Sequence, residues 1–202
     1  MGFNNFMKAI QGVLGVTDAR KVANMPSEVA KGIDCVSVMA QATLHEVMKW
    51  KAQWTVIKYR NEKDFRMGRI QEVIEVPGNL LLNEGITEML KLLIGDGAAV
   101  AYNNANARLG VGNSNVAAAA TQTDLQGASK TYKGMDANYP QVSNQTVTFR
   151  ATFGADDANY AWIEFVVDNG AVGLKTLNRK VQTLGVKESP AVWTLSLDVT
   201  IS

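Results

Sequence analysis

Three groups of residues have types and spacings that could do chemistry. The first is the glycine pair of LGVGNSN, residues 109–115. A phosphate loop sets glycines between a strand and a helix, so that the helix N-terminus meets the phosphate. After Gly112 the chain offers Asn-Ser-Asn-Val and a run of alanines, with no Gly-Lys-Ser/Thr and no third glycine at the dinucleotide spacing. Gly110 and Gly112 therefore read as the end of a strand, where glycine allows a bulge or a positive φ at a sheet edge. The second group is Cys35 and His45, each the single residue of its type. On one continuous helix they stand ~15 Å apart along the axis, beyond the hydrogen-bond reach of a Cys–His pair. Cys35 reads as a small buried residue, and His45 as a flanking or surface one. The third group is Asp156-Asp157, with Glu164 and Asp168 close in sequence. A calcium loop alternates oxygen ligands around an internal glycine, which neither GDG nor GADDAN does. These acids, with Asp96, Asp124 and Asp136, read as turn-forming or solvated. A glycosidase pair is defined by the separation of its carboxylates, which a sequence does not give. The expectation is a chain without catalytic residues, cofactor or metal, with a hydrolase built on the acidic loops as the remote alternative.

Bulk composition narrows the classes further. Lys and Arg number 20 against 19 Asp and Glu, a net charge of +1, so no electrostatic footprint for nucleic acid or an anionic membrane is present. One cysteine excludes an intramolecular disulfide and a cysteine-based zinc cluster. No apolar run approaches the ~20 residues of a membrane helix. MGFNNFMKAIQGVLGV lacks a basic leader before a solid apolar block, so no signal peptide is expected. The corresponding expectation is synthesis in a reducing cytoplasm.

The elements that would position any site divide the chain in two. Residues 1–49 carry helical spacing and read as an N-terminal arm. Phe3, Phe6, Ile10 and Val13 share a helix face, although Gly12 and Gly15 weaken it by up to ~1 kcal/mol each. Pro26 punctuates, and Ser27 can cap the second helix of the arm. Val29, Ile33, Val36, Ala40, Thr43 and Val47 then alternate steps of four and three, a heptad rhythm. Such a stripe either lies on its own core or packs on other chains, and on the second reading these residues are assembly contacts. A glycine-weakened terminal helix frays unless something holds it, so residues 1–25 are expected to be held outside their own domain.

From residue 50 the rhythm becomes that of strands. WKAQWTVIKYR and GRIQEVIEV, separated by NEKDFRM, read as a β-hairpin with a long loop. In PGNLLLNEGITEMLKLLIGDG, Asn83 is the expected N-cap of one short helix, Ile86, Met89, Leu90 and Leu93 share a face, and Gly95 sits at C′. Residues 95–145 are rich in Gly, Ala, Asn, Ser and Thr and read as ordered surface loops around a short strand ARLGVG. QTVTFRATF places Val147, Phe149, Ala151 and Phe153 on one face, and YAWIEFVVD reads as a central strand. VWTLSLDVTIS turns Trp193, Leu195, Leu197, Val199 and Ile201 inward. Seven or so strands with Gly- and Asn-rich turns describe an antiparallel β-sandwich over residues 50–202. The aromatic residues read as core and inter-sheet packing. Alternatively, Tyr102, Tyr132 and Tyr139 form a loop platform for a sugar or a partner.

Residues 50–202 also resemble a recurrent arrangement in tailed-bacteriophage virion proteins. There an N-L-hydrophobic-N-x-G segment opens a short helix, a G-x-G strand end leads into small residues and T-x-T-x-L, and a strongly alternating strand closes the chain. Asn79, Leu80, Asn83, Gly85, Gly110, Gly112, Thr121, Thr123 and Leu125 match. The resemblance implies a non-enzymatic virion component, a capsid decoration, head fibre or tail appendage that exposes its β-sandwich; residues 1–49 take no part in it, and docking by the arm is expected from its apolar stripes. The Val29–Val47 stripe leads to the expectation of a homo-oligomer, and the resemblance implies a trimer for an external appendage, with major capsid or tail proteins as partners. A receptor- or carbohydrate-binding module of a tail fibre, or an internal neck or baseplate component, remains the alternative.

Overall fold

The computed structural model describes residues 49–170 and 175–202. The proposed arm contacts, from Phe3 to Val47, lie outside the described residues.

Within the described residues the chain is mainly β. Its strands are β1 (Trp50–Tyr59), β2 (Glu72–Pro77), β3 (Leu80–Leu81), β4 (Arg108–Gly112), β5 (Lys130–Gly134), β6 (Gln141–Ser143), β7 (Thr146–Phe153), β8 (Ala161–Asp168), β9 (Thr176–Val186) and β10 (Val192–Ile201). They form two five-stranded sheets in the orders β2-β1-β10-β7-β6 and β3-β9-β8-β4-β5. Every pairing is antiparallel. The first and last described strands, β1 and β10, pair along their whole length at the centre of the first sheet.

The alternation that makes β1, β7 and β10 legible also fixes their faces. Trp54, Val56, Phe149, Ala151, Phe153, Trp193, Leu195 and Leu197 are buried against Leu109, Val111, Trp162, Phe165 and Val167 of the second sheet. Three edge-to-face aromatic contacts cross between the sheets: Trp54 on Phe165 at 5.1 Å, Phe153 on Trp162 at 4.8 Å, and Trp162 on Trp193 at 4.9 Å. Such pairs add about 0.5–1.5 kcal/mol each beyond area burial. Two lysines tie the sheets together at one side. Lys58 Nζ of β1 donates to Leu184 O of β9 at 2.7 Å, and Lys180 Nζ of β9 donates to Pro77 O of β2 at 2.7 Å.

The expected hairpin of β1 and β2 forms, and its long loop contains a five-residue helix, α1 (Glu62–Arg66), capped by Asn61 accepting from Asp64 N–H. The expected helix forms as α2 (Asn83–Leu93), with Gly95 in the left-handed conformation after its end. Its cap differs from expectation. Leu82 occupies the N-cap without a side-chain bond, because Asn83 already lies in the helix, where its N–H donates to Ala120 O at 2.9 Å. Strands β5 and β6 form inside the stretch expected to be loops; the half-buried KTYKG and the exposed QVS are short and carry little periodicity.

Candidate interaction surface

The glycine pair has a different purpose from the one expected. β4 is no sheet edge: it pairs in unbroken register with β5 on one side and β8 on the other. Neither glycine has a positive φ. Both lie on the outer face of the second sheet, where larger groups cross them. A Cβ on Gly110 would stand 2.6 Å from the Tyr132 ring, and one on Gly112 would stand 2.5 Å from Glu164 Oε1. Glycine here provides close approach.

Glu164 and Arg179, on neighbouring strands β8 and β9, are both fully buried and 2.7 Å apart. Glu164 also accepts from the N–H groups of Gln126 and Gly127, at 2.9 and 2.6 Å. Arg179 donates to Gln122 Oε1 and Val116 O, each at 2.9 Å. The small-residue loop over 113–127 is thus clamped onto the sheet by an ion pair whose spare donors and acceptors match its backbone, with Leu125 buried beneath it. Burying such a pair unsatisfied would be costly, and here each spare position has a partner.

The acidic residues do not assemble into one site. Asp168 forms a two-pronged pair with Arg108, at 3.0 and 2.8 Å. Asp157 accepts from Lys133 Nζ at 2.6 Å and from Gly154 N–H at 2.8 Å. Burial pushes its carboxyl up, but these hydrogen bonds outweigh burial and hold it below the usual range. That is the wrong direction for a general acid at neutral pH. The GADDAN loop gives its oxygens to a lysine: fully buried Lys187 donates to Gly154 O at 2.7 Å and Asn159 Oδ1 at 3.0 Å. Burial pushes the Lys187 ammonium below its ordinary value, against the pull of Asp157 and Asp156. Among the described residues no group of three or more His, Cys, Asp or Glu is arranged to hold a metal ion. No helix among them is long and apolar enough to cross a membrane.

The three candidate loop tyrosines are part-buried and separately engaged. Tyr102 donates to Lys175 O at 2.9 Å, and burial raises its pKa. Tyr132 donates to Asp124 beneath the Arg108 guanidinium, which stands 4.7 Å from its ring, and burial raises its pKa too. Tyr139 lies under Arg150, and its carbonyl accepts from Asn104 at 2.7 Å. No ring contact joins the three.

The surface that sequence reasoning missed is the outer face of α2. Gly85 faces β9 so closely that a Cβ would lie 2.5 Å from Leu177 Cα. Glu88, also facing inward, accepts from Val100 N–H at 2.7 Å and Asn169 Nδ2 at 3.2 Å. Glu84 accepts from Thr176 N–H at 2.8 Å. The helix therefore turns carboxylates inward, where they satisfy loose backbone donors, and apolar residues outward. Ile86, Leu90, Leu93 and Ile94 are 38, 58, 80 and 80% exposed. Beside them an open groove of about 490 Å³ is lined by Trp50, Met89, Leu92, Val142, Val147 and Ile201, with Val142 itself exposed. Of the face read from the helical period, Ile86, Leu90 and Leu93 face water, whereas Met89 is partly buried and packs against the core. Gly85 was the available signal, since a helix-weakening glycine in the first turn marks the side that touches backbone.

Among the described residues this arrangement supplies apolar area for contact. No protein-family model matches the chain, and neither a curated protein nor a solved structure matches it.

Proposed function

We propose that the protein is a non-enzymatic structural component of a bacteriophage virion, a β-sandwich joined to an N-terminal helical arm over residues 1–49. The arm docks on major capsid or tail proteins through Phe3, Phe6, Ile10, Val13 and the Val29–Val47 stripe, and the β-sandwich is displayed as a capsid decoration, head fibre or tail appendage. Association into a homo-oligomer accompanies docking. The observation that carries this reading is the outward apolar face of α2 beside an apolar groove. Contiguous exposed apolar surface marks sites of association. The residues matching the phage arrangement support it in a second way, because they act in packing. Gly85, Gly110 and Gly112 permit close approach, Leu125 is buried, and Asn79 Oδ1 accepts from Trp50 Nε1 at 3.2 Å.

The test is incorporation of full-length variants into particles. Ile33→Asp with Val36→Asp is expected to leave the sandwich folded and to remove the protein from purified virions. Undiminished incorporation of that variant defeats docking through the arm.

A further inference from the structure

We infer that α2 is a two-fold contact between copies of this chain, with Leu90 on the symmetry axis. The exposed positions of the helix and its C-cap are Asn83, Ile86, Thr87, Leu90, Leu93 and Ile94, all without formal charge, with half-buried Lys91 at their flank. The helix's carboxylates, Glu84 and Glu88, are bonded inward. A face stripped of charge offers nothing to steer or select a charged partner, and depletion of charge is the compositional mark of an interface centre.

The order of residues on that face selects the occupant. Ile86, Leu90 and Ile94 succeed one another at steps of four, so the row reads Ile-Leu-Ile in both directions about Leu90. A copy related by a two-fold axis through Leu90 presents the same row reversed: Ile86 meets Ile94 of its partner, and Leu90 meets Leu90. Self-complementarity of this kind is what an isologous interface requires.

The area is of the right order. Exposures of 38, 58, 80 and 80% at Ile86, Leu90, Leu93 and Ile94 correspond to about 450 Å² of apolar surface per copy, within the range of functional patches. Two copies together cover at most about 900 Å², the size of a weak, transient interface. That size suits a reversible, concentration-dependent pair. The pairing does not depend on where the protein is used, so it stands or falls apart from the virion reading.

Two measurements on the full chain test it. Sedimentation over a range of concentrations is expected to show a monomer–dimer equilibrium, which Leu90→Glu weakens by more than about tenfold. The site is already more than half exposed, so near-UV circular dichroism of that variant should match the wild type. Disulfide trapping in a Cys35→Ala background then reads the symmetry. Leu90→Cys should cross-link to itself on oxidation, whereas Ile86→Cys and Ile94→Cys should cross-link when mixed and not alone. A protein that stays monomeric, that forms only trimers, or whose association is unchanged by Leu90→Glu overturns the pairing. So does Leu90→Cys that associates but does not cross-link.

Discussion

Arg179 Nη2 lies 2.7 Å from Glu164 Oε2, with neither side chain exposed, and the two side chains together bind four separate points of the loop at residues 116–127. The pair links sheet register to loop position, because Glu164 sits opposite Gly112 on β4 and Arg179 sits opposite Val166 on β8. The outer face of the second sheet is organised around it.

Removing one partner leaves the other charge buried and alone. Glu164→Gln is expected to lower stability by about 3–5 kcal/mol, the usual range for breaking a buried pair. A double change to Glu164→Met and Arg179→Leu should cost less than the single one. In both variants the amides of Gln126 and Gly127 should lose exchange protection first. Denaturant melts and hydrogen exchange check this. Equal costs for the single and double variants would argue against the pair as the source.

Gly85→Ala is expected to destabilise the fold by about 1–3 kcal/mol, the range for overpacking, because its Cβ would meet backbone atoms of β9. Gly134→Ala is the control. Nothing lies within 4 Å of its added Cβ, so it should be neutral or slightly stabilising. Thermal melts of the two variants side by side decide the matter.

Trp193 is almost fully buried in β10, with Trp162 4.9 Å away and Lys58 Nζ 4.5 Å from its ring. Trp193→Ala is expected to cost about 3–5 kcal/mol. Wild-type indole emission should be blue-shifted relative to a solvated tryptophan. An unchanged melting curve would put the register of β10 in error.

How much of the fold was legible depends on which signal each element carries. β1, β7 and β10 alternate cleanly because one face meets the core and the other meets water, and their inward residues were readable one by one. Ile201 is the exception, since it lines an open groove at the end of its strand. β8 was recognisable as central from its apolar run, but Glu164 and Asp168 within it looked like solvated acids. Their arginines are fifteen and sixty residues distant in sequence, and no local spacing announces such pairs. The orientation of α2 was illegible for a related reason. The period located its apolar face, but the inward side is fixed by a glycine against β9 and two carboxylates meeting distant backbone donors. The arm contacts lie outside the described residues.

Acid should expose the role of Asp157. Its carboxyl is held below the usual range, so it contributes stability that is fully present above the unfolded value of about 3.9 and is lost as pH falls through the lower folded value. Lys187 has a slope of the same sign in a higher window: burial lowers its pKa, so stability also rises with pH between the folded value and about 10.4. Asp157→Asn is expected to be less stable than wild type at neutral pH, with the difference shrinking below about pH 4. Denaturation midpoints across that window test the sign. A difference that grows in acid would contradict it.

The central claim is that this chain serves by association, as a component of an assembled particle. Quantitative mass spectrometry of purified virions measures that directly. The chain should be present in a fixed copy number relative to the major capsid or tail protein, retained through density-gradient purification. Particles that contain none of it, with the protein left free in the lysate, would contradict the claim.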